Sequence, residues 1–142
     1  MNAYFDTSAV IKLIVAEDGS ELADQLWEAA QLKLASHLVY PEARAALAAA
    51  ARAGRVDTRA YRRAVADLGV VVASMQRIGV DDTLAREAGE LAEKHALRGY
   101  DAVHLATALS VTDPTLVVVT WDRDLAAATL ACGHPVAPAL TS

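Results

Sequence analysis

Short apolar strands alternate with longer helical patterns from one end of this 142-residue chain to the other, and that alternation restricts the fold more than any single motif. Strands separated by helices pair in parallel, with right-handed crossovers, and the helices cover both faces of the sheet. The strand candidates are Ala3–Phe5, Leu32–Ser36, a weaker stretch at 76–80, Leu116–Val119 and an edge at Pro135–Ala137. A helix carrying Val10, Ile11, Leu13 and Ile14 follows Thr7-Ser8, which read as a cap; Gly19-Ser20 interrupts it, and a second pattern of Leu22, Ala23, Leu26, Ala29 and Ala30 reads as helix to about Gln31. Helical periodicity returns from Pro41 to a stop at Gly54, from Thr58 to about Val71, from Asp81-Asp82 to near Gly99, from Asp101 through Leu109, and over 122–130. The β-branched run Val70-Val71-Val72 leaves the end of the Thr58 helix open. The expected architecture is α/β, a three-layer sandwich with a central, mostly parallel sheet of about five strands, in one domain spanning 1–142.

Composition narrows the function. Hydrophobic residues make up 54% of the chain and mean hydropathy is +0.24, but much of this is Ala, and no stretch approaches the roughly 18 apolar residues of a membrane span. No membrane role is expected, and the N-terminus shows no basic segment followed by an apolar one, so no signal peptide is read there. Cys132 is the single cysteine, which excludes an internal disulfide and a thiolate zinc cage and agrees with a cytoplasmic location. Net charge is −5, at first sight unfavourable for a nucleic-acid partner. From Glu42 to Arg63, however, six arginines (44, 52, 55, 59, 62 and 63) face two acids, a local +4 that leaves −9 for the rest. Such a segment suits either a solvated helix face or guidance of a polyanion.

Four acids stand at the ends of elements. Asp6 follows the first strand, Asp122 follows the clearest strand by way of Thr120 and Trp121, Glu42 lies just after Pro41, and Asp101 follows the Arg98-Gly99-Tyr100 turn. Ligands of open parallel sheets bind at the carboxyl ends of the strands. Taken singly, each acid is explained as a helix cap or as a dipole partner. Taken together they point to one cleft, where crowded carboxylates require cations, and Mg²⁺ or Mn²⁺ is the matching hard ion. Paired divalent ions are suited to phosphodiester hydrolysis, lowering the pKa of an attacking water and stabilising the leaving oxygen. No competing nucleophile is evident, and there is neither a Walker A loop nor a dinucleotide fingerprint.

These segments also resemble a known family, the PIN domain, and within it the VapC-type toxin ribonucleases. Tyr4-Phe5-Asp6-Thr7-Ser8-Ala9 is similar to the family's first motif, and Tyr40-Pro41-Glu42-Ala43-Arg44 to its second. Gly99-Tyr100-Asp101-Ala102-Val103-His104-Leu105-Ala106 resembles the third motif, and Thr120-Trp121-Asp122-Arg123-Asp124-Leu125 the fourth. The resemblance implies a PIN-like sandwich and a Mg²⁺- or Mn²⁺-dependent endoribonuclease with Asp6, Glu42, Asp101 and Asp122 as metal-binding catalytic acids. Thr7, Ser8, Thr120 and Asp124 take supporting roles, Asp122 being preferred to Asp124 as the ligand. It further implies an RNA substrate, a VapB-like antitoxin partner and a homodimer. Arg44 is a weak candidate for contact with the RNA backbone. His104 shares a helix face with Asp101 and reads either as a packed or capped histidine, the plainer reading, or as an outer partner or proton relay of the site; Trp27 and Trp121 read as core or interface residues.

Two other classes fit less well. A PIN-like scaffold that only binds a partner has no need of a complete acid set. A haloacid-dehalogenase type of phosphohydrolase needs an Asp two positions after Asp6, where this chain has Ser8.

Overall fold

A computed structural model describes residues 1–139, and the last three positions of the expected domain lie outside the described residues. Five strands, β1 (Asn2–Phe5), β2 (Leu32–Ser36), β3 (Gln76–Ile78), β4 (Val117–Val119) and β5 (Val136–Ala137), form one sheet in the order β3-β2-β1-β4-β5. Every pairing is parallel. The connections are helical: α1 (Thr7–Ile14), α2 (Ser20–Ala29), α3 (Val39–Arg52), α4 (Thr58–Ala73), α5 (Asp82–His95), α6 (Gly99–Leu109) and α7 (Arg123–Ala131).

The period-two alternation of β1 builds the layers. Ala3 and Phe5 pack with Val10, Val39, Leu47 and Leu68 of α1, α3 and α4, whereas Tyr4 points to the opposite face with Leu34, Ala108, Leu116 and Val118. Leu84, Leu105 and Leu125 fill the space among α5, α6 and α7 on that second side. The result is the three-layer sandwich expected, with a fully parallel sheet. None of the described helices is long and apolar enough to cross a membrane.

Because β1 pairs with β2 on one edge and β4 on the other, the strand order reverses at β1. A crevice therefore opens beyond the carboxyl ends of β1 and β4. Asp6 and Thr120 are the first residues after those two strands.

Several boundaries differ from the sequence reading. The cap of α1 is Asp6, whose side chain accepts from the Ala9 amide, so Thr7 and Ser8 are left free for other partners. α3 starts two residues before Pro41, where a missing N–H costs nothing in the first turn. α4 continues through Val70–Val72 to Ala73, because Ala64, Leu68 and Val72 bury one continuous face and that burial outweighs β-propensity. α5 stops at His95, well before Gly99: Ala96 adopts a left-handed φ of 53° and turns Leu97 into the core. α6 then begins at Gly99, which puts Asp101 in its first turn.

Candidate active site

Asp6 sits at the centre of the crevice and is buried, at 4% exposure. Its Oδ1 accepts from the Ser8 hydroxyl at 2.7 Å and the Ala9 amide at 3.0 Å, and its Oδ2 accepts from the Thr120 hydroxyl at 2.5 Å. The same hydroxyls accept in turn: Ser8 from the Trp121 amide and Thr120 from the Asp122 amide, both at 3.0 Å. The chain segments leaving β1 and β4 are thus stitched together through Asp6. Burial raises the Asp6 carboxyl above its ordinary pKa, against the opposing pull of His104, Ser8, Thr120 and the Ala9 amide.

Glu42 enters from the first turn of α3, where the helix dipole favours a carboxylate. Its Oε1 accepts from the Thr7 hydroxyl at 2.7 Å and lies 2.6 Å from His104 Nε2. His104 is 3% exposed, and its Nδ1 lies 2.7 Å from the hydroxyl of fully buried Tyr4. Partial burial alone would raise the Glu42 carboxyl, but the bond and charge of His104, with help from Thr7 and Arg98, bring it below its ordinary value.

Asp101 and Asp122 are held differently. Arg98, at the head of α6, donates from Nε to Asp101 Oδ2 at 3.0 Å and from Nη2 to Asp122 Oδ2 at 3.2 Å. Asp122 also caps α7, its Oδ1 accepting from the Leu125 amide at 3.0 Å. Burial raises the Asp101 carboxyl, Arg98 pulls it down, and the neighbouring Asp122 charge pushes it up again, for a net rise. Beside Asp122 a cleft of about 270 Å³ opens between Thr120, Trp121, Arg123, Ala126 and Pro138.

The four acids expected from the sequence therefore lie on elements that meet at one end of the sheet, linked by hydrogen bonds and by mutual electrostatic influence. Among the described residues no three His, Cys, Asp or Glu side chains are already drawn close enough to hold one ion. The donor chemistry nonetheless suits a hard divalent cation: oxygen ligands throughout, the Asp6 and Asp101 carboxyls raised by burial, Asp101 also by the neighbouring Asp122, and a guanidinium bridging Asp101 and Asp122. Thr7 bonds to Glu42, and Ser8 and Thr120 bond to Asp6. Asp124 is exposed in the first turn of α7, while Asp122 takes the inward position.

Arg44 is not brought to the cluster. Two residues from Glu42 it emerges on another side of α3, where it donates to the Tyr40 hydroxyl at 2.9 Å. Arg52 ends the same helix about 15 Å from Glu42 along its axis, and Arg55, Arg59, Arg62 and Arg63 are all exposed beyond it. The basic segment thus lies away from the acids. Trp27 packs edge-on against Phe5, and Trp121 lies under Lys12. Sequence reasoning missed Arg98 and Tyr4. The spacing of Arg98 three before Asp101 was a usable signal for the first, and nothing local marks the second.

A parallel sheet with an acid-lined switch point defines a class, and comparison with known proteins agrees. The chain belongs to the PIN domain family, whose model matches residues 3–129. Within the family it groups with the VapC proteins: it is 48% identical to Ribonuclease VapC45 and Ribonuclease VapC49, both of Mycobacterium tuberculosis, over 96% of this chain and 94% of each relative. Among solved structures, PAE2754 from Pyrobaculum aerophilum superposes with a TM-score of 0.71 at 29% identity, covering 96% of this chain and 89% of that one. The VapBC-5 toxin–antitoxin structure of Mycobacterium tuberculosis matches at 0.64 and 25% identity, covering 96% and 98%.

Proposed function

We propose that this chain is a VapC-type toxin, a divalent-metal-dependent endoribonuclease that hydrolyses RNA phosphodiester bonds at the crevice beyond β1 and β4. What supports the reading is the 48% identity to proteins named ribonucleases, together with the bonds that tie Asp6 to Ser8 and Thr120, Glu42 to Thr7 and His104, and Asp101 to Asp122 through Arg98. These four carboxylates would hold Mg²⁺ or Mn²⁺. The bound ions supply an activated water and charge stabilisation for the leaving oxygen. The protein's own part is orientation. Ser8, Thr120 and the Ala9 amide fix both oxygens of Asp6, and Thr7 and His104 fix one oxygen of Glu42. Arg98, exposed at the rim and paired with Asp101 and Asp122, would be free to bind backbone phosphate once cations neutralised those acids. The cleft beside Asp122 has room for a nucleotide flanking the cut.

An antitoxin partner accords with the similarity to a toxin–antitoxin structure. Its carboxylate-seeking groups would compete for the same crevice, and a homodimer completes the reading. The test is cleavage of a mixed cellular RNA pool by purified protein with Mg²⁺, with Mn²⁺ and with EDTA, alongside Asp101→Ala. Discrete fragments that require metal and fall more than about a hundred-fold in the variant are expected, a larger loss than outer partners of a metal site cause. RNA left intact by folded, antitoxin-free protein under every condition would favour a binding scaffold instead.

A further inference from the structure

His104 is buried on α6, the helix that also carries Asp101, yet neither ring nitrogen is satisfied by the nearby backbone. Nδ1 meets the Tyr4 hydroxyl of β1 at 2.7 Å and Nε2 meets Glu42 of α3 at 2.6 Å. The ring therefore links the central strand to helices on both sides of the sheet, across the end where the acids gather. A histidine present only to fill space between helices has no need to spend both nitrogens on side chains from two other elements.

We infer that His104 is a positioning residue for the metal site: its Nε2–H, together with the Thr7 hydroxyl, locks Oε1 of Glu42 and leaves Oε2 as the single outward donor, while Tyr4 holds the imidazole in register.

The hydrogen placement follows from the partners. Glu42 in its ionised form can only accept, so the hydrogen between it and the ring belongs to Nε2. Thr7 Oγ1 donates to the same oxygen at 2.7 Å, and among the described residues no side-chain hydrogen bond reaches Oε2. A carboxylate pinned by one oxygen cannot swing to chelate an ion through both, so Glu42 becomes a one-oxygen ligand of fixed direction. Tyr4 contributes at a distance. A Phe in its place fills the same space but leaves Nδ1 without its partner and the ring free to turn. Outer partners that orient a ligand in this way commonly change metal affinity by about 10- to 100-fold when removed.

The inference rests on the reading of the acid crevice as a metal site, and the experiment separates the two. Mn²⁺ binding is measured by calorimetry on metal-free parent, His104→Ala, His104→Gln, Tyr4→Phe, Glu42→Gln and the His104→Ala/Glu42→Gln pair, with thermal melts in EDTA as the folding control. The expected loss of Mn²⁺ affinity is about 10- to 100-fold for His104→Ala, with most of it restored in His104→Gln, whose amide can donate to Glu42. Tyr4→Phe costs a few-fold. His104→Ala adds nothing once Glu42 is already Gln. If His104→Ala does not fold, His104→Gln and Tyr4→Phe carry the test. Parent-like affinity in a folded His104→Ala, or an undiminished loss in the Glu42→Gln background, overturns the role of His104 and leaves the metal site standing. A parent that binds no Mn²⁺ overturns both.

Discussion

The crevice has two unlike halves. Asp6 and Glu42 are fastened: hydroxyls, an amide and a buried histidine bond three of their four carboxylate oxygens. Asp101 and Asp122 are tied to each other only through Arg98, whose side chain is 78% exposed. The first half is built from the end of β1 and the first turn of α3, and its bonds come from the protein alone. Apart from the α7 cap made by Asp122, the second half is held by two ion pairs to an exposed guanidinium, which contribute little to stability. Were the four acids to hold an ion as proposed, Asp6 and Glu42 would be the fixed ligands and Asp101 and Asp122 the adjustable ones.

Alanine substitution gives the largest expected contrast. Asp6→Ala removes the cap of α1 and strands the Ser8 and Thr120 hydroxyls, so it should lower stability by about 1–3 kcal/mol. Asp101→Ala should leave the melting temperature in EDTA nearly unchanged. Equal melting temperatures for the two variants would erase the distinction between the halves.

The pH dependence sharpens the same comparison. Burial raises the Asp6 carboxyl, so folding favours its protonated form. That contribution is complete below the unfolded carboxyl pKa of about 4 and is lost as pH rises through the higher folded value. Glu42 has the opposite sign: its carboxyl is lowered, so its contribution is present above the unfolded pKa and is lost as pH falls through the folded one. Melts of parent and Asp6→Asn in EDTA, from about pH 4 to neutrality, should therefore shift steadily in favour of the variant as pH rises. Saturating Mg²⁺ should reverse that trend at neutral pH. A gap that ignores pH would contradict the burial that raises the Asp6 carboxyl.

Arg98→Ala should have the smallest effect on the fold, with an unchanged melting temperature in EDTA, while its removal from Asp101 and Asp122 strengthens Mn²⁺ binding. Weaker binding would show that Arg98 supports the acids instead of standing in for a cation.

Much of this was legible in the sequence because strand ends are local features. A β-branched run closed by Thr120 and Asp122, or an apolar triplet closed by Asp6, marks a strand terminus whatever the rest of the chain does. Parallel pairing then brings those termini to one edge. The fastening was not legible, since it depends on contacts between distant segments. Tyr4 and His104 are 100 residues apart, and only the pleat of β1, which turns Tyr4 away from Phe5, brings them together. The end of α4, open at Val70–Val72 in the sequence, is set by burial, and the end of α5 falls at His95, before the left-handed Ala96, short of the expected Gly99.

The central claim is that one crevice, bounded by both halves, holds the catalytic cations. It is tested most directly by an anomalous difference map from crystals soaked in Mn²⁺ at a concentration that supports RNA cleavage. The account predicts density among the carboxylates of Asp6, Glu42, Asp101 and Asp122, with Arg98 turned away from Asp101 and Asp122. Density elsewhere, or none in the crevice with Arg98 still bridging the two acids, would contradict it.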